Sequence, residues 1–145
     1  MTVPEITVGN LQRKIRVNVS GLEKFAGNAV QHSLQLHQRH QTDLRKLSEI
    51  FIWLISDRRM ALLHRKFLGQ SGPTDVMTFQ HGEIFNSVET ARRHARAFKN
   101  SFVPELKLYI VHGLLHLHGF DDQTRAQACK MKKAQEKVLR SASSC

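Results

Sequence analysis

Two histidines and an aspartate in the last third of the chain have the types and the spacing of metal ligands. His112 and His116 are four residues apart, so on a helix both imidazoles project from the same face. Gly119 follows three residues later and can end that helix, after which a turn can bring Asp122 back toward the two rings. Imidazole nitrogens and carboxylate oxygens bind divalent metals. The spacing therefore predicts that His112, His116 and Asp122 hold one metal ion.

Each of these residues also has a structural interpretation. Residues 105–117 are apolar on almost every side and predict a buried helix, where two core histidines bonded to carbonyls would look the same. Asp122 could instead cap the helix predicted after it. His118 lies about 200° around the helix from His116, so we expect it at the surface or behind the ligands.

The charge of the chain favours a polyanionic partner. Its 145 residues include 22 Lys and Arg against 12 Asp and Glu, a formal net charge of +10. Such an excess neutralises phosphates and releases counterions, which favours nucleic acid. The basic residues gather in two segments, 92–99 and 130–140. Each segment could instead be a solvated helix face, and an anionic membrane surface is a weaker alternative partner. The candidate RNA contacts are Arg92, Arg93, Arg96, Lys99, Lys130 and Lys133.

The apolar pattern predicts the elements that would position these residues in one domain, residues 1–145. Strands are expected at 5–8, 15–19, 50–55, 76–79 and 83–86. Helices are expected at about 20–37, 57–67, 88–99, 104–117 and 123–141. This alternation predicts an α+β, or α/β-like, fold with a mixed, mostly parallel sheet of about four strands and about five helices.

No signal for export or membrane insertion is visible. The N-terminus has no basic segment followed by an apolar stretch, and no apolar run approaches spanning length. Cys129 and Cys145 lack the spacing of a disulfide framework or a thiolate metal site. We therefore expect a cytoplasmic protein with no membrane partner and no functional thiol.

These motifs resemble the YbeY family of bacterial endoribonucleases. Residues 112–122 are similar to the family signature His-Gly-x-Leu-His-Leu-x-Gly-Tyr/Phe-Asp-His on a buried helix. Residues 73–79, Pro-Thr-Asp-Val-Met-Thr-Phe, resemble its Pro-Thr-Asp-Val-Leu-Ser-Phe, and residues 82–84, Gly-Glu-Ile, resemble its Gly-Asp-Ile. Order and spacing agree over about residues 50–139.

Two departures from the family pattern are serious, and a third lies close to one of them. Its third histidine falls on Asp122, its arginine before the Pro-Thr-Asp string on Leu68, and an asparagine on His64. A carboxylate can bind zinc, but it lowers the positive charge of the site and weakens the metal as a Lewis acid. Leucine cannot stabilise a phosphoryl oxygen, so Arg65 and Lys66 are candidate substitutes, if the helix end bends toward the cleft. Glu83 is a candidate to orient a ligand or accept a proton. All three could instead be solvated surface side chains.

The resemblance implies a metal-dependent endoribonuclease that prefers single-stranded RNA. It would act in ribosomal RNA maturation (16S rRNA processing) and ribosome quality control, with one Zn²⁺ at the His/His/Asp site carrying the attacking water. The small ribosomal subunit and assembly factors are implied partners, and DNA is not expected.

Two other functions stay open from the sequence. The chain could be a non-catalytic RNA-binding assembly factor in which the metal is structural. It could also be a metalloprotease, because the ligand spacing resembles the metzincin string. Those enzymes need a glutamate where this chain has Gly113, which argues against proteolysis.

Overall fold

The architecture follows from one mixed sheet with helices on both faces. The computed structural model describes residues 3–72 and 74–143; Pro73, in the break between two predicted elements, and Cys145 lie outside these ranges. The strands in these ranges are β1 (Glu5–Asn10), β2 (Glu49–Ile55), β3 (Val76–Phe79) and β4 (Glu83–Ser87). They lie in the order β1-β2-β4-β3, with β1, β2 and β4 parallel and β3 antiparallel to β4 at one edge. The predicted mixed, mostly parallel sheet is confirmed.

Six helices lie within the described ranges. They are α1 (Val19–Leu34), α2 (Asp43–Lys46), α3 (Asp57–Leu68), α4 (Val88–Ala97), α5 (Phe102–Leu117) and α6 (Arg125–Ser143). The sequence predicted five of them; α2 has four residues, which is too short to show a helical period. None of these helices is long and apolar enough to cross a membrane.

The predicted strand at 15–19 is wrong. Its first residue bonds a side chain instead of a strand partner, because Gln12 accepts a hydrogen bond from the Ile15 N–H and donates one to the Ile15 carbonyl. Asn18 then caps α1 by accepting from the Gly21 N–H at 3.1 Å, so the helix begins at Val19. It ends at Leu34, three residues earlier than predicted.

The core lies mainly on one face of the sheet. Ile52 of β2 and Ile84 of β4 are fully buried there under α1 and α5, and α6 packs against these two helices. On the other face, a smaller cluster joins Met60 of α3 to Met77 and Phe85. Since successive strand residues point to opposite faces, the site on α5 lies on the side of Ile84.

Candidate metal centre

The helix that carries the two histidines is held tightly against the sheet. Leu106, Ile110 and Leu114 of α5 are fully buried, which confirms the predicted buried helix. Gly113 lies directly over Ile84, where an added Cβ would come within 2.6 Å of Ile84 Cγ2. The absence of a side chain at Gly113 therefore lets α5 approach the sheet closely.

The end of α5 is built to return the chain toward the histidines. Gly119 has φ +88°, a left-handed conformation that favours glycine. Its N–H bonds the His116 carbonyl at 3.1 Å and the Phe120 N–H bonds the Leu115 carbonyl at 2.9 Å, the pair of bonds of a Schellman motif. The predicted helix stop at Gly119 is confirmed.

The cap of the following helix is Thr124, not Asp122. Thr124 Oγ1 accepts a hydrogen bond from the Gln127 N–H at 3.1 Å, and its carbonyl accepts one from the Ala128 N–H. The N–H groups at the start of α6 therefore do not need the Asp122 carboxylate. Asp122 lies instead beside the two histidines.

Three possible ligand atoms converge at the end of α5. Nε2 of His112 and Nε2 of His116 are 3.0 Å apart. The carboxylate of Asp122 lies 3.5 Å from His112 Nε2 through Oδ2 and 3.8 Å from His116 Nε2 through Oδ1. The three residues form a group whose ligand atoms all lie within 4.8 Å of one another.

These distances fit a single tetrahedral ion. Bonds of about 2.0–2.1 Å to zinc would place neighbouring ligand atoms about 3.3 Å apart, close to the separations seen here. Burial, and then the neighbouring His112, lowers the pKa of His116, which favours the neutral ring. A neutral imidazole has a nitrogen lone pair that a metal can accept, and a carboxylate oxygen is also a zinc ligand, so the chemistry of this donor set fits a metal.

Gln135 on α6 fixes which nitrogen of His112 is available. His112 Nδ1 lies 2.6 Å from Gln135 Oε1; because an amide oxygen can only accept, Nδ1 must donate and Nε2 is left with its lone pair toward the other ligands. Sequence reasoning missed this residue. The sequence signal that could have found Gln135 is its place beside Met131, Ala134 and Val138, the buried stripe that packs α6 against α5.

His118 has a structural role, and the expectation of a surface position is wrong. It is fully buried, with Nδ1 3.0 Å from Thr42 Oγ1 and Nε2 2.8 Å from the Leu36 carbonyl. Burial also lowers its pKa. Its ring joins the segment before α2 to the end of α5.

An open cleft of about 720 Å³ leads to the three ligands. Its walls are the end of α5, β3 with the residues beside it, and the C-terminal end of α3. Phe67 and Leu68 line it, while Arg65 does not. The position that carries arginine in the family pattern thus faces the site, and here it offers only an apolar side chain.

Glu83 lies on the other face of the sheet. Its neighbour Ile84 faces α5, so Glu83 points away from α5. Its carboxylate accepts hydrogen bonds from His81 Nε2 at 2.6 Å and Trp53 Nε1 at 2.7 Å. The His81 bond, supported by that of Trp53, lowers the pKa of Glu83. The structure therefore does not bring Glu83 to the metal ligands.

The basic residues selected from the sequence lie outside the cleft. Among the residues described, none of those on α4 or α6 that we selected lines its walls. Arg93 is engaged by the Asp57 carboxylate and by Thr90. Arg96, Lys99, Lys130 and Lys133 are exposed, and Arg92 is half-buried.

Comparisons with known proteins assign this α+β domain to a family. The profile of the family described as "Endoribonuclease YbeY" matches residues 7–143, and the chain belongs to that family. The predicted resemblance is confirmed.

Individual relatives show how far the similarity extends. The chain is 35% identical over 103 residues to an endoribonuclease YbeY of Anaeromyxobacter, which covers 64% of this chain and 54% of that protein. It is 27% identical over 152 aligned positions to the chloroplastic endoribonuclease YBEY of Arabidopsis thaliana, covering 93% of this chain and 26% of that protein. This chain therefore spans about half and about a quarter of these two relatives.

A solved structure shares the fold. The solution structure of TM1509 from Thermotoga maritima superposes with a TM-score of 0.65 at 25% sequence identity, covering 94% of this chain and 88% of that one. The likeness extends over nearly the whole length of both chains, so it supports the sheet order and the helix arrangement described above.

Proposed function

We propose that this chain is a metal-dependent endoribonuclease that cleaves single-stranded RNA. The observation that carries the proposal is the convergence of His112, His116 and Asp122 at the floor of an open cleft. Family membership supports RNA as the substrate. In this proposal the three residues bind one zinc ion, and an extended RNA strand lies in the open cleft beside it.

Each residue of the centre has a distinct part. The two imidazoles and the Asp122 carboxylate would hold the ion and would leave it accessible to water or to a phosphoryl oxygen from the cleft. When bound, the ion supplies a water of lowered pKa and polarises the phosphoryl group. Gln135 holds His112 in the tautomer that can bind.

The basic surface would guide RNA outside the cleft. The exposed cations of α4 and α6 can neutralise phosphates away from the reacting bond. We further propose that the substrate is ribosomal RNA during maturation, including 16S rRNA processing and quality control. The small ribosomal subunit and its assembly factors would then be partners in the cytoplasm.

Leu68 favours a second candidate function. A cleft without an arginine at this position lacks one means of stabilising the charge that develops on nonbridging oxygens. The chain could therefore bind ribosomal RNA during assembly while the metal only fixes the turn after α5 to the helix. A metalloprotease is not proposed, because Gly113 faces Ile84 in the core and a side chain there would point away from the ligands.

Cleavage of end-labelled RNA separates the two candidates. We expect the zinc-loaded protein to cut a single-stranded oligonucleotide faster than the same sequence in a duplex. Chelation and His112→Ala should each abolish cleavage, while His37→Ala, an exposed histidine outside the cleft, should leave it unchanged. Binding without products under any added divalent metal would overturn the nuclease and support the assembly factor.

A further inference from the structure

We propose that Lys132 on α6 binds a phosphate of the RNA beside the metal centre. It would thereby provide the positive side chain that the cleft lacks at Leu68. This inference rests on the proposed function and names a substrate contact that the sequence analysis did not select.

A second cavity meets the main cleft at the metal ligands. It has a volume of about 290 Å³ and shares Asp75, Val76, His112 and Asp122 with the cleft. The proposed metal centre thus lies where the two hollows join. An extended strand with one phosphate at the centre has a neighbouring nucleotide on each side, and the second cavity is where one of them would lie.

The charge along this path is mainly negative. The carboxylates that line the two cavities are Asp43, Asp75, Glu105, Asp121 and Asp122. Within the described ranges, Lys132 is the only lysine or arginine that lines either one. Because these carboxylates repel a phosphodiester and the proposed ion would lie only at the ligands, a phosphate in the second cavity needs a cation of its own. Lys132 is the side chain in position.

Lys132 is also placed and free to make the contact. It is exposed and forms no ion pair within 4.0 Å with any carboxylate of the described chain. It lies three residues before Gln135, which bonds His112, and residues three apart share a helix face. Lys24 on α1 is exposed as well, but it lines neither cavity.

Paired lysine substitutions test the contact. Lys132→Met removes the charge and keeps an unbranched stem of similar length, and Lys24→Met on α1 is the matched control. We expect Lys132→Met to lower kcat/KM for a single-stranded RNA about tenfold, the size of a lost charge-assisted hydrogen bond. Lys132→Arg should restore most of the loss, and Lys24→Met should change kcat/KM less than twofold.

A binding measurement makes the inference independent of turnover. The anisotropy of a labelled ten-nucleotide single-stranded RNA should show that metal-free Lys132→Met binds it more weakly than the metal-free wild type does. The slope of log K against log salt concentration should be smaller by about 0.7 in the variant, the value for one lost phosphate contact. Equal binding and equal cleavage by the two methionine variants would overturn the role of Lys132 while leaving the nuclease intact. If the wild type cuts no RNA, the proposed nuclease fails and the binding comparison alone decides the inference.

Discussion

The two sides of the cleft differ in how firmly the rest of the protein holds them. On the ligand side, His112 and His116 belong to α5, whose neighbouring leucines are fully buried. On the opposite side, Phe67 and Leu68 end α3 with 53% and 58% of their surfaces exposed. The ligand side therefore keeps its geometry through core packing, whereas the α3 side can change its chemistry at little cost in stability.

This difference explains how the chain can have the His/His/Asp group while Leu68 stands where the family pattern has an arginine. A change on α5 disturbs packing against the sheet, so it affects the fold as well as the ligands. A change at Leu68 alters mainly what a bound strand meets. The following variants test this contrast, from the largest expected effect to the smallest.

Gly113→Val should destabilise the protein most. Its Cβ would overlap Ile84, which is fully buried and cannot move away, so we expect the free energy of unfolding to fall by about 3 kcal/mol. Gly27→Val is the matched control on α1, because a Cβ at Gly27 would meet no described atom within 4 Å. Urea unfolding measures both, and equal losses would contradict the close approach of α5 to the sheet.

Gln135→Leu should weaken metal binding about 10–100-fold, the usual effect of removing a partner that orients a ligand. The cause is that His112 Nδ1 loses its acceptor, so Nε2 is no longer fixed toward the ion. Competition with a chromogenic zinc chelator measures the affinity. Gln135→Glu supplies an acceptor again and should bind as tightly as the wild type; equal affinity in all three proteins would exclude an orienting role.

Leu68→Arg should raise kcat/KM for single-stranded RNA about tenfold. A guanidinium in the cleft can donate charge-assisted hydrogen bonds to the phosphoryl oxygens. Leu62→Arg is the control, because Leu62 is equally exposed on α3 but does not line the cleft. If Leu68→Arg and Leu62→Arg change kcat/KM equally, only general attraction of RNA is involved and the α3 side has no specific effect.

A smaller effect is expected from pH. Burial lowers the pKa of His118, and burial together with His112 lowers the pKa of His116. The unfolded chain therefore takes up protons on both rings from about pH 6.5 downward, while the folded protein takes them up only at lower pH. The contribution of the two neutral rings to the stability of the folded protein is therefore complete above about pH 6.5 and is lost as the pH falls below it. The urea midpoint of the metal-free protein should decrease as the pH is lowered from 7.5 to 5.5. An increase of the midpoint would contradict the burial of these rings.

The parts of the fold that the sequence predicted are those with strong local signals. The apolar run of β2 and the glycine after α5 each determine their local structure, so their positions could be read directly. The segment 15–19 alternates like a strand, but the Gln12 side chain bonds the N–H and the carbonyl of Ile15, and Asn18 caps the start of a helix. Such side-chain contacts depend on chain geometry and leave no periodic signal.

The sequence was sufficient to select the three possible ligands of the candidate site, but not the residues that surround them. His112, His116 and Asp122 are close in sequence, and one helix end brings them together. Gln135 and Lys132 reach the site only because α6 packs against α5. Glu83 was chosen from its place in a motif, and the alternation of β4 directs it to the other face.

The most direct test of the central claim is the zinc content of purified protein after loading and desalting, measured by mass spectrometry of the metal. The wild type and His37→Ala should each retain about one ion per chain, and His116→Ala should retain less than about a tenth of that. Equal zinc in His116→Ala and the wild type would show that the ion is held elsewhere and would contradict the account.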